Sequence, residues 1–261
     1  MNRISSTLHV LLEKNEKALV LFLTMGFPEL RSALRLIPLF EQCGADMIEL
    51  GMPFSDPLAD GPVIQRSSQL ALKNGITLKE ILGQLSEIRR NTSIPLILMG
   101  YLNPILSYST ISFFKDAATS GADGIILPEL PLEEVKKISH HYRKNALSQI
   151  LLVSPTTPVE RMKEIDRACS GFLYCVSSTG VTGNATSERV ESYLNRVKQS
   201  VRKNPVLAGF GIGTPQQARR FSPFVDGVIV GSALIRKLEE RRSEREIGKW
   251  ITAVKHALNA E

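Results

Sequence analysis

With 261 residues, 43% of them hydrophobic, and a mean hydropathy near zero, the chain is long enough to bury a large core and reads as one soluble domain over residues 1–261. No apolar run approaches the roughly 20 residues that span a bilayer, and Met1-Asn2-Arg3-Ile4-Ser5-Ser6-Thr7 lacks a signal-peptide apolar stretch, so a cytoplasmic protein off the membrane is expected. The formal charge of +6 comes from Lys and Arg scattered among acids, as in Arg236-Lys237-Leu238-Glu239-Glu240-Arg241-Arg242; this argues against a nucleic-acid partner and favours a small anionic substrate.

Ile4 to Lys14 has helical spacing and is expected to cover one end of the fold. Eight short apolar runs follow, at Leu19 to Met25, Met47 to Met52, Pro95 to Gly100, Gly124 to Pro128, Gln149 to Ser154, Gly171 to Val176, Pro205 to Gly211 and Gly227 to Ser232. Each is continuously apolar rather than alternating, as parallel strands covered on both faces require. Between them lie amphipathic segments of helical period: Leu30 to Cys43, Ile64 to Leu72 with Leu78 to Ile88, Ile111 to Thr119, Leu132 to Arg143, Val159 to Ala168, Val190 to Val201 and Gln216 to Phe221. A loose phrase recurs before strands, in Cys43-Gly44-Ala45-Asp46, Ser120-Gly121-Ala122-Asp123-Gly124 and Val225-Asp226-Gly227, where glycine or a turn ends one helix and feeds the next strand. A doubly wound open sheet shares this alternation. Eight strands in about 230 residues, without a dinucleotide glycine fingerprint, predict instead a closed (β/α)8 TIM barrel with an additional N-terminal helix.

Cys43, Cys169 and Cys175 fall in apolar segments without CxxC or Cys/His pairing, so they read as reduced core residues and no metal site is expected. In a barrel, chemistry belongs where strands end and helices begin. Polar and glycine-rich residues gather there: Glu49 at the end of strand 2, Tyr101 and Asn103 after strand 3, Gly180-Val181-Thr182-Gly183 after strand 6, Gly209-Phe210-Gly211-Ile212-Gly213 after strand 7 and Gly231-Ser232 after strand 8. Glycines after strands 7 and 8, with a helix opening at Ser232, let backbone N–H groups converge on a phosphate. The same glycines also suit tight turns, and a GxGxG run alone is weak support.

Glu49, in Met47-Ile48-Glu49-Leu50-Gly51, places a charge at the inner end of an apolar strand. Burial there raises a carboxyl pKa and fits a proton shuttle near neutral pH, the alternative being a salt-bridged structural acid. Asp60 is even between two roles, a second functional acid and a cap for the helix beginning at Pro62. Asp56, before Pro57, reads as turn chemistry.

The run from Glu49 to Gln65, with Pro53-Phe54-Ser55-Asp56-Pro57-Leu58-Ala59-Asp60-Gly61-Pro62 within it, closely resembles the tryptophan synthase α subunit family. So do Tyr101-Leu102-Asn103-Pro104, Tyr174 followed by Ser178-Thr179-Gly180-Val181-Thr182-Gly183, Gly209-Phe210-Gly211-Ile212 and Val230-Gly231-Ser232-Ala233. The likeness runs in order over nearly the whole chain. The Pro53 to Pro62 motif is highly specific to the family, whereas the glycine clusters are shared by many phosphate-binding barrels.

The resemblance implies retro-aldol cleavage of indole-3-glycerol phosphate to indole and glyceraldehyde 3-phosphate, in the last steps of tryptophan biosynthesis, without a metal or organic cofactor in this chain. It assigns proton transfer to Glu49 and stabilisation of the charged indole ring to Asp60. Phe22, Tyr101, Tyr174, Thr182, Phe210 and Ile229 are placed by the family around the indole and its reactive groups, and Gly183, Gly211, Gly231 and Ser232 around the phosphate. By the same likeness Gly180 to Thr186 is a lid. The partner implied is a pyridoxal phosphate β subunit that turns indole and serine into tryptophan, in a heterotetramer of two α and two β chains, docked through the loop Pro53 to Asp60 and the region after strand 4. One departure falls there: Pro128-Glu129-Leu130-Pro131 carries Glu where the family usually has Asp. Two other classes stay open. A different sugar-phosphate isomerase or epimerase lacks a candidate histidine, since His9, His140, His141 and His256 fall in expected helices. A catalytically silent activator of a β subunit would not need to keep both Glu49 and Asp60.

Overall fold

The computed structural model describes residues 2–176, 187–209 and 211–260. Nine strands form one parallel sheet: β1 Ala18–Thr24, β2 Met47–Gly51, β3 Leu96–Met99, β4 Gly124–Ile126, β5 Ser148–Gln149, β6 Leu151–Val153, β7 Leu173–Cys175, β8 Val206–Ala208 and β9 Gly227–Val230. β1 pairs with β2 on one side and β9 on the other. The sheet begins at β5 and ends at β6, which are consecutive in the chain. The fold is therefore the expected (β/α)8 TIM barrel, interrupted only at Ile150.

The single run expected from Gln149 to Ser154 is thus two short strands. Ser148–Gln149 pairs with β4 and Leu151–Val153 with β7. At Ile150 the chain changes partner, and the bond from its N–H to the Ile125 carbonyl stretches to 3.4 Å. Apolar pattern marks where a strand lies but carries no record of which neighbour each residue pairs with.

Both faces of the sheet are covered, as continuous apolarity requires. Residues such as Val20, Met47, Ile97, Ile126, Leu207 and Ile229 fill the barrel, while Leu19, Leu21, Ile48, Leu50 and Leu98 face the helices. The helix Arg3–Glu13 closes the lower end: Ile4, Leu8 and Leu11 join the inner group, and a Cβ on Gly124 would come 3.0 Å from Cδ1 of Ile4. Asn2 starts this helix by accepting from the Ile4 N–H at 2.9 Å, and its amide donates to the Asp123 carbonyl at 2.7 Å.

The repeated aspartates have a common task at that lower end. Asp46, Asp123 and Asp226 each precede a strand, and each carboxylate accepts the N–H near the start of the preceding strand: Leu19 at 2.6 Å, Leu96 at 2.9 Å and Val206 at 2.8 Å. Each aspartate N–H also donates to the carbonyl of that same residue. The pair of bonds locks register between β1 and β2, β3 and β4, and β8 and β9. Asp123 is 4% exposed and pairs further with Arg89 at 2.8 Å and Arg3 at 3.0 Å. Asp123→Ala strips the Arg89 guanidinium of its carboxylate, leaving it only the carbonyls of Gly121, Thr92 and Ile94, and leaves the Leu96 N–H without its side-chain acceptor; it is expected to lower the unfolding free energy by roughly 3 kcal/mol, read from urea denaturation.

The remaining helices lie close to their expected positions: Ala33–Gln42, Pro62–Lys73, Leu78–Arg89, Thr110–Thr119, Leu132–Lys144, Val159–Ala168, Ser187–Ser200, Pro215–Phe221 and Ser232–Glu239. Two go beyond the bounded expectations, the second of them expected only as a helix around His256. Leu102–Tyr108 is too short for a periodic signal and carries Pro104 in its first turn. Glu244–Leu258 had a legible signal: Ser243 and Glu246 form a capping box, and Ile247, Ile251, Val254 and Leu258 make one buried face. No helix among the described residues is long and apolar enough to cross a membrane.

Candidate active site

The site is built from β2 upward. Alternation along Met47–Gly51 sends Ile48 and Leu50 toward the helices and leaves Glu49 facing the barrel, in register with Phe22 on β1 and Ile97 on β3. Glu49 is the third of five strand residues rather than the last, so it sits one layer below the mouth. Gly51 occupies the layer above. A Cβ there would come 2.5 Å from Cζ of Phe22, so the absence of a side chain lets the Phe22 ring lean across the barrel beside the acid.

Glu49 is fully buried, and neither carboxyl oxygen has a hydrogen-bond partner among the described residues. Burial, and secondarily the charge of Asp60, push its pKa up to about 8. No cation among the described residues offsets this, which removes the salt-bridge alternative. At neutral pH the group is a carboxylic acid with a proton to give.

Asp60 ends the loop that follows β2. The helix Pro62–Lys73 has Gly61 at its N-cap and no side-chain cap, so the capping role for Asp60 does not hold. Its Oδ2 instead accepts from the Tyr101 hydroxyl at 3.1 Å. Burial raises the Asp60 pKa to about 6, opposed by that hydrogen bond. The Tyr101 oxygen also accepts from the Ala59 N–H at 3.0 Å, and the Tyr101 and Phe54 rings lie 5.4 Å apart. One tyrosine at the end of β3 thereby pins both ends of the acid loop.

Tyr174 on β7 is buried, and its hydroxyl is held far above its ordinary pKa by burial and by the charges of Glu49 and Asp60. Gly209 makes room for it, since a Cβ at that position would come 2.4 Å from the tyrosine oxygen. Phe22, Tyr101 and Ile229 are likewise buried and supply apolar walls. Asp60, Phe22 and Tyr101 line one cavity with Ile64, Ser68, Met99 and Pro128. The last four were not anticipated, although Ile64 and Ser68, four residues apart on the helix after Asp60, present one face to it.

On the opposite side, Gly211 has φ of +60°, a conformation glycine accepts freely, and none of the described residues fills the place of a side chain there. Gly231 precedes the helix Ser232–Glu239, and no side chain caps that helix. Gly231 itself stands beside Phe22, since a Cβ there would be 3.3 Å from the Phe22 Cβ. Anions are favoured at such an end. The structure thus brings Glu49, Asp60, Phe22, Tyr101, Tyr174, Ile229, Gly231 and Ser232 to the inside and mouth of the barrel. Thr182, Gly183, Phe210 and the expected lid lie outside the described residues.

Glu129 is exposed, and its Oε1 accepts the Leu102 N–H at 2.6 Å. Tyr101 is the N-cap of the helix Leu102–Tyr108 and does not cap it with its own side chain. The carboxylate after β4 therefore completes the helix that starts next to the site tyrosine. All four histidines lie on helices, and no group of three or more His, Cys, Asp or Glu among the described residues is arranged to hold a metal ion.

Known proteins show which family the chain resembles. The family model described as tryptophan synthase alpha chain matches residues 8–259. The tryptophan synthase alpha chain of Petrotoga mobilis is 46% identical over 244 residues, covering 93% of each chain. That of Geotalea uraniireducens is 43% identical, covering 100% of this chain and 99% of its own. Among solved structures, tryptophan synthase subunit alpha from Legionella pneumophila superposes with a TM-score of 0.92 at 36% identity, with both chains fully covered. With a family model spanning nearly all of it and relatives of this identity along its full length, the chain belongs to the tryptophan synthase alpha chain family.

Proposed function

We propose that Glu49 and Asp60 carry out the reaction of this family, the cleavage of indole-3-glycerol phosphate, as an unequal pair of acids. The observation that carries the reading is the buried Glu49, unpartnered and raised to about pKa 8 beside an Asp60 near pKa 6. Between those values Glu49 holds a proton and Asp60 is ionised. Glu49 protonates indole C3, and positive charge develops on the ring. Its carboxylate then takes the proton from the hydroxyl on the adjacent side-chain carbon. The oxygen electrons form the aldehyde, the carbon–carbon bond breaks, and its electrons return to the ring to release indole. Asp60 accepts the indole N–H and stabilises the ring charge as it forms, a contact stronger in the transition state than in the ground state.

Phe22, Tyr101, Tyr174, Thr182, Phe210 and Ile229 enclose the indole and its reactive carbons, and Gly183, Gly211, Gly231 and Ser232 hold the phosphate. An apolar wall with few polar groups suits such a ring. The whole chain works as one barrel domain in the cytoplasm, with no cofactor of its own. Its partner is a pyridoxal phosphate β subunit, in an assembly of two α and two β chains. Leu58, 94% exposed at the tip of the loop between Glu49 and Asp60, supports docking through that loop.

The test is indole release from indole-3-glycerol phosphate by the purified chain, with and without a tryptophan synthase β subunit. Slow release alone and faster release with the β subunit is expected. Activation of the β subunit without any indole release would make the chain a silent activator.

A further inference from the structure

The chain has a single tryptophan, Trp250, half-buried on the helix Glu244–Leu258. Its indole N–H donates to the Gly213 carbonyl at 3.0 Å, and the Lys237 ammonium lies 5.0 Å from the centre of its ring. Gly213 closes the glycine-rich loop after β8, and Lys237 belongs to the helix Ser232–Glu239 after β9. These are the two segments on which Gly211, Gly231 and Ser232 sit. One side chain from the far end of the sequence grips both.

Other contacts make the grip rigid. The Gly213 N–H donates to Gln217 Oε1 at 2.9 Å, and Gln217 is held in a capping box with Thr214. The peptide planes on both sides of Gly213 are therefore pinned, one by Gln217 and the other by Trp250. The two segments also touch, since a Cβ on Gly213 would lie 2.9 Å from the Ala233 Cβ. Gly211, two residues upstream, has no side chain to steady it, and a Cβ there would touch none of the described residues. Ordering a glycine loop only on binding costs conformational entropy, and a loop already held in place avoids that cost.

We infer that Trp250 is a positioning residue for the phosphate cradle: it holds the loop ending at Gly213 against the helix starting at Ser232, so that a phosphate meets donors already in place. The inference rests on the phosphate reading given above. A phosphate is remote from the bond that breaks, and its contacts are alike in ground and transition states. Loosening the cradle raises KM and leaves kcat nearly unchanged.

Trp250→Phe keeps an aromatic ring near Lys237 and removes the N–H together with part of the indole's volume. For this variant, KM for indole-3-glycerol phosphate and the Kd for glycerol 3-phosphate by calorimetry are expected to rise about three- to ten-fold, with kcat within about two-fold. In the unaltered protein, glycerol 3-phosphate is expected to shift the lone tryptophan's fluorescence with the calorimetric Kd. Glycerol 3-phosphate binding that leaves the emission unmoved and is equally tight in Trp250→Phe would overturn the positioning role while the phosphate reading stands, even if the variant melts at a lower temperature. Absence of glycerol 3-phosphate binding to the unaltered protein would overturn the phosphate reading itself, and this inference with it.

Discussion

Glu49→Gln is expected to reduce indole release by at least about 10⁴-fold, measured with the β subunit present so that the residual rate is detectable. In the proposed mechanism both proton transfers pass through this carboxyl, and an amide of the same shape can make neither. The fold should persist, because Glu49 has no hydrogen bond to lose among the described residues. Its stability should change in a telling way. The acid's pKa is about 8 in the folded chain against an ordinary value of 4.5. Between these values the folded state keeps a proton that the unfolded state has released. Stability contributed by the bound proton is complete below pH 4.5 and is lost as pH rises toward 8, by up to about 1.4 kcal/mol per pH unit. The glutamine variant lacks this slope, so above neutral pH it should melt at a higher temperature than the unaltered protein. An unchanged indole rate in Glu49→Gln would end the proposed mechanism; an unchanged pH slope would mean that Glu49 is not the buried acid described here.

Asp60→Asn is expected to lower kcat/KM by about 10²-fold, less than the loss at Glu49, because a neutral amide still accepts the indole N–H but no longer offsets the ring charge. The pH profile separates the two acids. Activity requires Asp60 ionised and Glu49 protonated, so kcat/KM should be bell-shaped, with limbs near 6 and 8 that belong to the interacting pair. In Asp60→Asn the acid limb should disappear. The basic limb should move to lower pH, since Asp60's negative charge is one of the causes holding the Glu49 pKa up. Full activity in this variant would leave Asp60 as loop structure tied to Tyr101.

Much of the barrel was legible because its signals are local. Continuous apolar runs marked every barrel strand, and the recurring aspartates marked the points where one strand clamps the next. The Pro53 to Pro62 motif singled out the family before any contact was known. Less legible were elements whose signal is short or whose partner is distant. Leu102–Tyr108 spans too few residues to show a period, and its start depends on a carboxylate from beyond the next strand, Glu129.

The sequence by itself determined where the barrel strands and most of the helices lie, that one strand carries an acid in an apolar setting, and that glycines crowd the far loops. These follow from burial preference, backbone freedom and spacing, which neighbours along the chain decide. Only the tertiary structure decided that Glu49 lies below the mouth rather than at it, that Asp60 turns to Tyr101 instead of capping its helix, and that strand 5 breaks at Ile150. It alone brought Trp250 against Gly213. Each depends on closing the barrel, which sets register, burial and the distances between residues far apart in the chain. Those quantities give two similar carboxyl groups different protonation states.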